Sequence, residues 1–109
     1  MKTITLRYGD KAYTLEYNRA AVRLMESQGF NLDDLNKKPA TTIPDLFAGA
    51  FRFHHSGLSR KTIDEIFENT NHRSDLVVKL TEMYVDTINT LFDEAEDGDE
   101  GNANWDTSW

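Results

Sequence analysis

The sequence predicts an α+β domain, mainly α: an N-terminal β-hairpin packed on about four helices, followed by a flexible acidic tail. Three observations carry that expectation. The stretch "ITLRYGDKAYTLEY" alternates apolar and polar residues on either side of Gly9-Asp10, the pattern of two strands joined by a two-residue turn. From there to Phe92, apolar residues recur three and four apart, as they do on helices buried along one side. Residues 93–109 hold seven acids and no base, a composition that does not bury enough apolar surface to fold alone.

Residues 2–17 form the hairpin, with Ile4, Leu6 and Tyr8 and then Tyr13, Leu15 and Tyr17 directed to one face. Two strands are marginal in water, so that face must pack on the helices. Asn18 caps a first helix over 19–28; Gly29 fits the left-handed position past its end, and Phe30 is spaced to touch Met25. The segment "NLDDLNKKPA" reads mostly as loop. Thr42 with Asp45 resembles a capping box, Pro44 is tolerated in a first turn, and Ile43, Leu46, Phe47, Ala50, Phe51 and His54 share one face of a helix over 43–55. Gly57 ends it. Ser59 caps a third helix, 60–69, with Leu58 stapled onto Ile63 and a stripe of Ile63, Ile66 and Phe67. Ser74 caps the longest helix, 75–94, whose core face is Leu76, Val77, Leu80, Met83, Tyr84, Ile88, Leu91 and Phe92. Residues 1–92 are thus one domain and 93–109 its tail.

The formal charge of −7 sits wholly in that tail, because residues 1–92 carry twelve acids against twelve Lys and Arg. A neutral body with an acidic end matches phosphate backbone poorly, so no nucleic-acid partner is expected. Zero cysteines exclude disulfides and thiolate chemistry. No run approaches the roughly 20 apolar residues of a membrane helix, and "MKTITLRYGD" lacks the apolar core of a signal peptide. The expectation is a soluble, unexported protein with no membrane partner.

No catalytic, cofactor or metal site is expected. His54 and His55 are adjacent, so on a helix they point about 100° apart, unlike a ligating pair one turn apart. His54 is expected as a hydrogen-bonded residue at the edge of the apolar face, His55 as solvated and His72 in a turn. The acids are neighbours in sequence, none embedded in an apolar run that would raise its pKa. "FAGAFRF" lacks the glycine spacing of a phosphate loop, and "DEAEDGDEGN" lacks the second helix and closing bidentate Glu of a calcium loop.

The surplus apolar residues point instead to contact. Phe47, Phe51 and Phe53 do not fit one narrow stripe; Phe53 either packs under the hairpin or stays exposed as part of a partner patch. Val78 and Val85 lie off the main face of the last helix, seven apart and aligned, which suits a sheet behind them or a subunit contact. Trp105 and Trp109, alone among acids, are anchors for a partner or fold back on the core. These seven residues are the candidate partner-binding set.

Read together, "YTLEYNRAAVRLMESQGF", "KPATTIPDLFAGAFRFHH", "LSRKTIDEIFE", "LVVKLTEMYVDTINTLFDE" and "GNANW" resemble the small tail assembly chaperones of long-tailed phages and prophages of Gram-positive bacteria. The likeness spans residues 13–105; its most specific pieces are "LMESQGF", the pattern of Pro44, Leu46, Phe47, Gly49, Ala50, Phe51, His54 and His55, and "MY" with "TLF". The resemblance implies a non-enzymatic protein of the host bacterial cytoplasm, absent from the mature virion. Such proteins bind the tape measure protein and keep it soluble while tail tube protein assembles around it. It further implies contact with the tail tube protein, admits a homo-oligomer, and in many members goes with a programmed frameshift near the end of the reading frame. The competing expectation is a phage or host adaptor that self-assembles or joins a complex through its hairpin edge.

Overall fold

The computed structural model describes residues 2–93, 103 and 105–109. It shows an α+β architecture, mainly α, in which β1 (Ile4–Tyr8) and β2 (Lys11–Leu15) form an antiparallel hairpin ahead of α1 (Arg19–Ser27), α2 (Pro39–Gly49), α3 (Arg60–Glu68) and α4 (Arg73–Asn89). The hairpin pairs Ile4 with Leu15 and Tyr8 with Lys11, and Gly9 turns at φ 65°, a value that favours glycine at the first position of a tight hairpin. Tyr13 and Leu15 are buried, with Ile4, Leu6 and Tyr8 packed partly over the same core.

Local signals set α1 and α3. The Asn18 side chain accepts from the N–H of Ala21, and the Ser59 side chain accepts from the N–H of Thr62. Past α1, Gly29 takes φ 93° while its N–H bonds to the Glu26 carbonyl and that of Phe30 to the Met25 carbonyl, the two bonds of a Schellman motif.

The expected helix over 43–55 is corrected at both ends. It begins at Pro39, which occupies the first turn, leaving Pro44 in its interior. Thr42 is buried rather than capping, its hydroxyl bonding to the Asp34 carbonyl at 3.4 Å, and Asp45 is drawn off to Arg60. The preceding segment is not all loop, since Leu32–Leu35 form a 3₁₀ turn. Beyond Gly49 the N–H groups of Ala50, Phe51 and Arg52 reach carbonyls only three residues back, so residues 50–54 are a tightened turn. His54 and His55 therefore lie past the helix.

The last helix starts two residues earlier than expected, and His72, not Ser74, precedes it, in the left-handed region at φ 55°. After Asn89 it tightens to a 3₁₀ turn over Thr90–Phe92. That tightening turns Leu91 out of the core face, and it and Phe92 are both exposed. Arg19 donates to the carbonyl and hydroxyl of Thr90, satisfying the helix end from across the fold. The expected end at Glu94 and most of the expected flexible tail, residues 94–102 and 104, lie outside the described residues.

The core is an aromatic run. Phe47 meets Phe51 and Phe67 at 5.0 Å between ring centres, while Tyr84 meets Tyr17 at 5.4 Å and Phe30 at 5.3 Å. Such pairs contribute about 0.5–1.5 kcal/mol each beyond the area they bury. Among the described residues no helix is long and apolar enough to cross a membrane.

Candidate partner-binding surface

The seven candidate residues divide sharply. Phe47 and Phe51 are wholly buried, so the expectation that they face a partner is corrected: their rings fill the space between the hairpin and α3 and have no surface to offer. Phe53, Val78, Val85, Trp105 and Trp109 are all exposed.

On α4 the geometry comes from periodicity. Leu80, Met83 and Tyr84 face the core, and the helix turns Val78 and Val85 to the opposite side, 56% and 38% exposed. Phe92, seven residues beyond Val85, continues the line at 85% exposed, with Leu91 beside it. The sequence placed Leu91 and Phe92 in the core; Leu91, seven residues beyond Tyr84, is sent outward by the shift to 3₁₀ geometry, which periodicity cannot register, whereas Phe92 already falls in line with Val85. A seven-residue spacing of apolar side chains is the seam by which one helix receives another. Glu82 and Asp86 flank it, both reached by the Lys2 ammonium, at 3.9 and 2.8 Å. Those carboxylates, Asp86 foremost, hold Lys2 above its ordinary pKa.

Phe53 belongs to a second cluster. It stacks on His54 at 4.4 Å with the rings 5° from parallel, and His54 Nε2 lies 2.8 Å from the carboxylate of Glu16, which is buried. His55 is the more enclosed of the pair, contrary to the expectation that it is solvated: its Nε2 accepts the N–H of Thr14 at 2.9 Å. Together with the bond from the Glu16 N–H to the Ala50 carbonyl at 3.0 Å, this contact closes the outer edge of β2. The alternation around Glu16 gave no hint that it is buried.

Of the cavities, one of about 390 Å³ between α1, α2 and α3 is bordered by Met25, Gly49, Arg52 and Arg60. Arg60 is committed, bonding to Asp45 and Asp64 at 2.9 Å each; burial alone would lower its pKa, but the bonds to Asp64 and Asp45 outweigh that and raise it. Among the described residues no group of three or more His, Asp or Glu is gathered to hold a metal ion.

Fold and surface define a small, mainly helical α+β domain with an exposed apolar seam along its longest helix and the turn after it. The chain belongs to the family described as Domain of unknown function (DUF5055), whose model matches residues 1–109. No curated protein and no solved structure matches it.

Proposed function

We propose that this protein is a non-enzymatic tail assembly chaperone, which binds a tape measure protein and keeps it soluble while the tail tube forms. The carrying observation is the exposed line of Val78 and Val85 on α4 and Phe92 in the turn that follows it. A long helical client aggregates through its own apolar stripes, and a protein that covers them needs a matching stripe it has not used for its own core. The acidic tail supplies charge that holds complexes apart. The sequence resemblance to that phage family supports the same reading.

Co-expression with a tape measure protein tests it, scored by the soluble fraction of that protein. The wild-type chain is expected to raise it severalfold, and a Val78→Ser/Val85→Ser variant, still folded, to lose most of the effect. Equal solubility with and without the protein refutes the proposal.

A second reading, an adaptor joined through its hairpin, is favoured by one observation. The Thr14 N–H points away from β1, so the opposed Thr5 presents its backbone groups on the other edge of the sheet, beside a groove of about 400 Å³ bordered by Asn69–His72. Strand addition there would be blocked by Thr5→Pro, whereas the chaperone activity would survive it.

A further inference from the structure

The two edges of the hairpin differ. On β2 the Thr14 N–H is taken by His55 and the Glu16 N–H by the Ala50 carbonyl, so that edge is closed. On β1, Thr5 and Arg7 stand opposite Thr14 and Ala12, and alternate residues of an antiparallel pair turn their N–H and C=O groups away from the partner strand. Among the described residues no other backbone group bonds to them. The register runs unbroken from Ile4 to Tyr8, with no proline or bulge to spoil the edge as a template. The groove of about 400 Å³ follows this edge: all five residues of β1 border it and none of β2 does, and its far wall is Asn69–His72 with Asp75, Leu76 and Lys79 of α4.

Backbone groups left open at the strand repeat are satisfied by another extended chain. A second copy of β1 is a poor choice. Fully overlapped and antiparallel, it would set Leu6 against Leu6 and Arg7 against Thr5, which leaves the two Arg7 side chains as diagonal neighbours of like charge on one face. It would also bring the two Asn69–His72 turns together on the same side of the sheet. A single strand meets neither obstacle. Arg7 then sets its charge, because the other outward side chains of the two strands are Thr5, Ala12 and Thr14, and among the described residues Arg7 has no ion pair. On the wall, Asp75 and Lys79 are opposite in sign, and Lys79 also lies 4.0 Å from Glu82.

We infer that the β1 edge receives one extended peptide with apolar residues at every second position, packed over Ile4, Leu6 and Leu76, and an aspartate or glutamate between them beside Arg7. This rests on the hairpin-edge reading for its setting and names the occupant of that edge; it is independent of the seam on α4. Main-chain bonds hold the strand, and the alternate side chains choose it.

Two blocked peptides, one alternating valine with glutamate and the other valine with lysine, test the inference by amide chemical-shift titration of the full chain. The glutamate peptide is expected to shift Thr5, Arg7 and Asn71, and to bind about fivefold more tightly than the lysine peptide. Methylating its backbone nitrogens at alternate residues, in the phase that faces β1, is expected to weaken it by about tenfold. Arg7→Glu, an exposed change that leaves the core untouched, is expected to reverse the preference. No binding of either peptide, shifts confined to other surfaces, equal binding in both methylation phases, or an unchanged preference in Arg7→Glu overturns the inference. Sedimentation of the free chain separates it from the reading it rests on. Self-association that Thr5→Pro dissolves upholds an adaptor joined through its hairpin but overturns the peptide as occupant. A chain that stays monomeric and binds the glutamate peptide at Thr5 and Arg7 upholds the peptide and refutes self-assembly through that edge.

Discussion

Tyr17 joins three parts of the molecule through one phenol. Its ring packs against Tyr84, and its hydroxyl donates to the Leu46 carbonyl at 2.5 Å, in the last turn of α2, where intrahelical donors run out. Tyr17→Phe leaves that carbonyl without its partner and is expected to lower unfolding stability by about 1–3 kcal/mol in urea titrations. Burial, with Tyr84 adding to it, raises the Tyr17 pKa well above 10, and burial also raises that of Tyr84. Unfolded tyrosines ionise near 10 while these two still hold their protons. Above that pH the folded state binds more protons, so stability present at neutral pH is lost as pH rises. The urea midpoint is expected to fall between pH 8 and pH 10.5, and to fall less in Tyr17→Phe. His72 is the opposite case, an exposed side chain on a left-handed backbone with φ 55°. His72→Gly relieves a conformation that costs non-glycine residues about 1–2 kcal/mol, and after glycine's extra unfolded-state entropy a gain of about 0.5 kcal/mol in thermal unfolding is expected.

At the level of elements, what sequence could reveal depended on how local the deciding force was. Asn18, Gly29 and Ser59 were legible because each acts on N–H or C=O groups two to five residues away. The start of α2 was not. Pro39 and Thr42 are both sound starting signals, and the choice fell to partners distant in sequence: the Asp34 carbonyl holds Thr42 and Arg60 takes Asp45. The seam was half legible: Val78 and Val85 follow from helix period, and Phe92 falls in the same line although it was read as core, whereas the exposure of Leu91 follows from a change of period after Asn89. Phe47 and Phe51 were misassigned as surface because an aromatic that builds a core and one that grips a partner look alike in a single sequence. Arg19 is the residue that ties the end of α4 to α1. Arg19→Ala is expected to fray Thr90–Phe92, read as faster amide exchange at Leu91 and Phe92, at a cost of about 1 kcal/mol or less in overall stability.

For the whole molecule, charge and packing are divided between body and tail. Ala103 and residues 105–109 are exposed, so among the described residues the tail has no share in the core. Removing residues 94–109 takes away six acids and leaves the rest near neutral. The shortened chain is expected to melt within about 2 °C of the full protein. It is also expected to precipitate at lower concentration near neutral pH, measured by light scattering, because a near-neutral surface self-repels weakly.

Trp105 and Trp109 are the chain's only indoles, 86% and 99% exposed, while the body absorbs near-ultraviolet light through tyrosine and phenylalanine. Excitation at a wavelength tyrosine does not absorb therefore addresses the appendage alone, with no label and no substitution. A ligand that settles only on α4 leaves the emission red, whereas one that also gathers in the chain end shifts it to the blue. Two events that binding heats would merge are thus separated by colour.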